Sequence, residues 1–163
     1  PKVVFDKTPR YVTQLIAVQS RLDLPAIVLI KDPRSLALSD FKRSGTKIEE
    51  IDDWYERWKN PKRLYMRSAY QGYQYAWGNE RCKVVRLEDI CFNAKETVRS
   101  MFEFVQLEFS YEYLDLRSKR FGNTSGSSIS VNSCMQFMTE LPNHIQSKIK
   151  DEFSEFDRWF YDF

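Results

Sequence analysis

Ala26-Ile27-Val28-Leu29-Ile30 runs directly into Lys31-Asp32-Pro33-Arg34-Ser35-Leu36-Ala37-Leu38-Ser39-Asp40. A continuous apolar run of this length predicts a buried strand of the kind found in parallel sheets. Asp32 is a good helix N-cap and Pro33 suits the first helical position, so a helix should begin at once. Leu36, Ala37, Leu38 and Phe41 continue that helix, and Gly45 should stop it. A strand that feeds a helix through a tight turn puts the turn at the strand's C-terminal edge. Ligands of open α/β sheets bind at that edge.

Working outward, residues 2–6 read as a short apolar strand, and Lys7-Thr8-Pro9-Arg10 as a turn. Leu15, Ile16, Val18 and Leu22 follow at helical spacing. Strand, helix and strand make a βαβ unit, whose usual consequence is a parallel sheet. Downstream, residues 47–59 predict an amphipathic helix closed by Asn60-Pro61, and residues 63–77 predict a second helix with a broad aromatic face. Cys82 to Leu87 predicts another strand. Helices are expected over 94–105, over 110–116 and from about 142 to 156. Residues 118–133, rich in Ser, Gly and Asn, form the one long irregular stretch, and such loops are usually functional or mobile. The expected fold is a single α/β domain over residues 1–163: a P-loop-like, three-layer arrangement with a short parallel sheet flanked by helices. Because the chain opens abruptly in a strand, an upstream segment or a partner segment is expected to complete it.

Composition narrows the function classes. The net charge is only +2 over 163 residues, so nothing calls for nucleic acid, and an anion site must be local. The three cysteines, Cys82, Cys91 and Cys134, show no C-x-x-C spacing, which speaks against a disulfide framework or a zinc site. A single histidine, His144, cannot build a His-based metal centre. No run approaches the roughly 18 apolar residues of a membrane span.

Three constellations carry chemistry. Lys31 and Ser39 flank the strand-to-helix turn, where a charge, a hydroxyl and a helix N-terminus can hold a phosphate. Lys7 lies at the end of the first expected strand, where it can neutralise charge on a transferring anionic group. Lys119 and Arg120 sit in the irregular stretch, beside Gly122 and Gly126, where a loop can close over a nucleotide. The aromatic face of residues 63–77 reads as core, with a stacking platform as the other possibility. Glu88 and Asp89 are adjacent at a strand end and should point to opposite faces, so they do not form a carboxylate pair. Asp89 is expected to cap the next helix.

Asp6-Lys7-Thr8-Pro9-Arg10-Tyr11, then the strand, then Lys31-Asp32-Pro33-Arg34-Ser35-Leu36-Ala37-Leu38-Ser39-Asp40, resembles the sulfotransferases that use 3′-phosphoadenosine 5′-phosphosulfate (PAPS). The carbohydrate and heparan-type members are nearest in style. Val85-Arg86-Leu87-Glu88-Asp89-Ile90 and the helix carrying Phe102, Phe104, Val105 and Leu107 resemble a third stretch of that family. The three occur in the family's order, over most of residues 3–109. The resemblance implies sulfuryl transfer from PAPS to a hydroxyl or amine, with a carbohydrate as the expected acceptor. It implies that Lys31 and Ser39 grip the 3′-phosphate, that Lys7 acts near the sulfate, and that Arg120 belongs to the segment closing over the nucleotide. It implies no metal. Such an enzyme sits in the cytoplasm of a bacterium or the Golgi lumen of a eukaryote.

The chain departs from the family at three points. Lysine stands at position 31 where the family has arginine, giving a point charge without a bidentate fork. Leu87 stands where tyrosine is usual. The Gly- and Ser-rich loop for the 5′-phosphosulfate and the general base are both expected upstream of Pro1. A non-catalytic nucleotide- or glycan-binding module of the same fold is the main alternative. A P-loop phosphoryl-transfer enzyme would need a G-x-x-x-x-G-K-[ST] stretch that this chain lacks.

Overall fold

The computed structural model describes residues 6–115, 120–121, 124–125, 129 and 131–160. The expected first strand therefore lies almost wholly outside the described residues. What precedes the helix α1 (Leu15–Leu22) is a 3-10 helix over Pro9–Gln14. Asp6 anchors its start, accepting hydrogen bonds from the Thr8 and Tyr11 hydroxyls, each at 2.9 Å.

The apolar run forms the strand β1 (Ala26–Ile30), as its composition predicts. It pairs in parallel with β2 (Cys82–Arg86), in a register that sets Ala26 against Cys82 and Ile30 against Arg86. Val28 and Ile30 are buried while Leu29 is half exposed, so β1 is covered on one face far more than on the other. The fold is therefore α/β in the general sense, a short two-stranded parallel sheet among helices.

The crossover between the strands holds α2 (Pro33–Ser44) and the long helix α3 (Ile51–Trp77). Asp32 caps α2 through its side chain, and Gly45 ends it at φ 69°, a left-handed conformation that suits glycine. The break expected at Asn60-Pro61 does not occur: α3 is a single helix of 27 residues with Pro61 inside it. Pro61 is exposed, so water can take the Arg57 carbonyl that loses its donor. One buried stripe of Tyr55, Met66, Ala69, Tyr73 and Ala76 continues across the proline and holds both halves in line.

After β2 come α4 (Leu87–Phe92) and α5 (Ala94–Phe104), then a 3-10 turn over Tyr111–Leu114. A minimal antiparallel pair, β3 (Arg120–Phe121) and β4 (Thr124–Ser125), lies in the stretch expected to be irregular. Three further helices follow: α6 (Val131–Met135), α7 (Phe137–Glu140) and α8 (Asn143–Glu152). The last expected helix is split, since α8 gives way to a 3-10 segment over Ser154–Trp159. Phe137, Ile145, Ile149, Phe153, Phe156 and Trp159 from this C-terminal part meet the stripe of α3 in one core.

The aromatic face of residues 63–77 is mostly core. Tyr73 packs edge-on to Trp159 at 4.6 Å between ring centroids, and Tyr70 packs against Phe156 at 5.5 Å. No helix among the described residues is long and apolar enough to cross a membrane.

Candidate anion site at the end of the first strand

The turn after β1 is built by local chemistry. Asp32 is fully buried, and its Oδ1 accepts the Arg34 backbone N–H at 2.8 Å. The Arg34 guanidinium returns to the same carboxylate, with Nε to Oδ1 at 3.0 Å and an ion pair to Oδ2 at 2.6 Å. That guanidinium also lies over the rings of Phe137, at 4.6 Å, and Phe160, at 5.4 Å. Arg34 is thus committed to holding the C-terminal segment against the turn.

An open helix N-terminus would offer its first amides to an anion. Here Pro33 has no N–H and the Arg34 amide already serves Asp32. The first two positions of α2 therefore offer an anion no free amide.

The two side chains expected to hold an anion here are Lys31 and Ser39. Lys31 follows β1 directly, is partly buried, and forms no ion pair with any described residue. Burial lowers its pKa, while the nearby Glu88 carboxylate acts in the opposite sense. Arg43 and Asp40 of α2 are close enough to act on it as well, so the middle of α2 flanks this lysine. Ser39 is also partly buried and lies one turn before Arg43, on the same face of α2; its carbonyl accepts from Arg43 Nε at 3.2 Å. Among the described residues no group engages the Ser39 hydroxyl. Asp40 is occupied, taking Trp58 Nε1 at 3.0 Å and Lys62 Nζ at 2.8 Å, and these donors hold its pKa below the usual range against the effect of burial.

Glu88 is the residue that sequence reasoning passed over. It belongs not to a strand end but to the first turn of α4, and is only 1% exposed. Its Oε1 accepts the Asp32 backbone N–H at 2.9 Å, tying α4 to the β1–α2 turn across 56 residues. Burial raises its pKa, and the Asp32 N–H opposes that rise. Asp89 does not stand at the capping position of α5. Its backbone carbonyl instead accepts the Thr97 hydroxyl at 3.0 Å, and Asn93 occupies the capping position. A sequence signal existed for Glu88: an acidic residue right after a strand of a parallel pair, at the edge where Lys31 also lies.

Cys134 of α6 and Cys91 of α4 stand beside this cluster. Burial, foremost, and the neighbouring Cys91 push the Cys134 thiol up to about 12, so it is protonated at neutral pH. Among the described residues no group of three His, Cys, Asp or Glu side chains could hold a metal ion.

The other candidates fall elsewhere. Lys7 is exposed in the stretch before the 3-10 helix, and no hydrogen bond or ion pair among the described residues links it to the turn after β1. The backbone of Arg120 lies in β3, but its side chain is outside the described residues, as are Gly122 and Gly126. Arg63 and Tyr70 serve the fold: Arg63 Nε donates to Glu155 at 2.8 Å, and Tyr70 packs against Phe156.

Neither a protein-family model nor a curated protein matches this chain.

Proposed function

We propose that this chain is the nucleotide-gripping part of a PAPS-dependent sulfotransferase, with Lys31 and Ser39 holding the 3′-phosphate. The observation that carries this reading is a partly buried ammonium with no ion-pair partner among the described residues, at the C-terminal edge of a parallel strand. Glu88 and Asp40 act on this ammonium without a direct ion pair, so part of the cost of shielding it from water is left for an anion to offset. The free Ser39 hydroxyl supplies a neutral donor on the helix beside it. The resemblance of Lys31-Asp32-Pro33-Arg34 and of Leu87-Glu88-Asp89-Ile90 to sulfotransferase stretches points the same way.

In that reaction an acceptor oxygen or nitrogen attacks sulfur in line. The bond from sulfur to the phosphate oxygen breaks, and 3′-phosphoadenosine 5′-phosphate (PAP) leaves. Positioning and charge stabilisation do most of the work, as in phosphoryl transfer. Lys31 and Ser39 fix the nucleotide, and Lys7 offsets charge on the leaving phosphate or on the sulfuryl group. A proton must pass from the acceptor to a general base.

Calorimetric titration with PAP, beside AMP and beside a Lys31→Ala, Ser39→Ala variant, tests the reading. It expects PAP to bind, AMP to bind far more weakly, and the double variant to lose the difference. Equal affinity for PAP and AMP would remove the 3′-phosphate from the argument. The exposure of Lys7, with no described link to Lys31, favours one other reading, a module that binds the nucleotide without transferring the group. In a sulfating preparation Lys7→Ala should abolish turnover and leave PAP affinity nearly unchanged. Unchanged turnover would take Lys7 out of the chemistry.

A further inference from the structure

Glu88 is buried, charged in its ordinary form, and far in sequence from the turn it touches. A buried carboxylate is expensive unless its hydrogen bonds achieve something specific. The bond it makes is to the Asp32 N–H at 2.9 Å, the amide next to Lys31. That amide precedes the helix and has no partner in α2, so Glu88 alone satisfies it among the described residues. The Asp32 side chain faces the other way, to Arg34. The peptide unit joining Lys31 to Asp32 is thus fixed by a side chain from α4, and the direction in which Lys31 leaves β1 is fixed with it.

We propose that Glu88 is the positioning residue of the anion clamp: its carboxylate holds the Lys31–Asp32 peptide so that the Lys31 ammonium is presented beside Ser39. This rests on the sulfotransferase reading for the identity of the anion, but not for the contact itself. Glu88 touches neither nucleotide nor acceptor in this role. It acts through the turn.

The role depends on an acceptor oxygen at the right place more than on full charge. The groups that face Glu88 are Lys31 and Asp32 from the β1–α2 turn and Cys91 and Cys134 from α4 and α6. Among these Lys31 is the one cation, and Asp32 opposes a second negative charge. A glutamine at position 88 keeps an oxygen for the Asp32 N–H without the charge, whereas alanine keeps neither.

The test compares the wild-type chain, Glu88→Gln and Glu88→Ala by two measurements: PAP affinity by calorimetry, and hydrogen exchange at the Asp32 amide by NMR. Glu88→Ala should weaken PAP binding about tenfold or more and lose protection at Asp32, the scale of one lost charge-assisted hydrogen bond. Glu88→Gln should restore both, with affinity within about threefold of wild type, roughly the size of a surface charge effect. A Glu88→Ala chain with wild-type affinity and wild-type protection would overturn the proposal. So would a folded Glu88→Gln chain as impaired as alanine, because charge would then matter and the hydrogen bond would not. Should Glu88→Ala fail to fold, the Glu88→Gln chain still decides, since loss of Asp32 protection there contradicts the role. If the wild-type chain does not bind PAP, the nucleotide reading fails alone. The exchange arm then stands by itself: protection lost in alanine and kept in glutamine supports the positioning role, and protection unchanged in alanine refutes it.

Discussion

Lys31 and Glu88 respond to pH in the same sense, which gives the site a predictable titration. Burial lowers the Lys31 pKa from its ordinary 10.5, so its positive charge is lost sooner on the alkaline side than that of an exposed lysine. Burial raises the Glu88 pKa from its ordinary 4.5, so its negative charge disappears sooner on the acid side. An anion gains from a charged lysine and from a neutral glutamic acid. Affinity for PAP should therefore fall as pH rises through the alkaline range below 10.5, and Lys31→Arg, which stays charged, should flatten that fall. Calorimetry across that range checks it, and a parallel fall in Lys31→Arg would assign the titration to another group. Lys31 itself was legible in the sequence, since a strand followed by Lys-Asp-Pro places the lysine at a sheet edge. Glu88 was not. Read as the last residue of a strand it alternates with Asp89, whereas a helix starting at Leu87 turns it inward. Only the position of that helix start separates a solvated carboxylate from a buried one.

Among the elements, the segment carrying Lys7 is held to the rest by an unusually close contact. A Cβ on Gly72 would sit 1.9 Å from the Val12 carbonyl oxygen, so the 3-10 helix of Pro9–Gln14 lies directly on the backbone of α3. Glycine is required there for the approach, since its helical backbone would accept any residue. Gly72→Ala should lower stability by about 1–3 kcal/mol, the usual range for overpacking, although alanine is the better helix former. Denaturant unfolding measures it; an unchanged or raised midpoint would mean that the 3-10 helix shifts aside without loss. The expected break of α3 at Asn60-Pro61 has another cause. Asn60-Pro61 is a strong local stop signal, and local rules end a helix there. The stripe from Tyr55 to Ala76 is buried on one face, with Tyr70 and Tyr73 packed on Phe156 and Trp159, and that packing outweighs one missing hydrogen bond at an exposed proline. The β1–α2 junction was read correctly because the Asp32 cap, Pro33 at the first helical position and Gly45 at the end are local signals.

Across the molecule, the two parallel strands among the described residues offer little core of their own, and the stability must come from helix packing. The C-terminal part supplies it. Phe153 is fully buried, with its ring 5.6 Å from Trp58 and 6.3 Å from Phe156. Arg86, at the end of β2, donates to the Phe160 carbonyl at 3.1 Å and also to the Arg158 carbonyl, so the sheet is tied to the same segment. The Arg34 guanidinium over Phe137 and Phe160 ties the anion turn to it as well. The ties from Arg86 and Arg34 to this segment span 70 residues or more, and no local pattern announces them; Phe153 and Phe156 read only as the end of the last expected helix, and Trp159 lay beyond it. If this segment is the keystone of the core, Phe153→Ala should cost about 3–5 kcal/mol, the range for emptying a buried phenylalanine site. Leu64→Ala, at a side chain 67% exposed on α3, should change stability by less than about 0.5 kcal/mol. Paired denaturant curves compare the two. Similar, small losses at both positions would mean that the C-terminal aromatic cluster is packed on the fold without supporting it, and that the sheet and α3 stand by themselves.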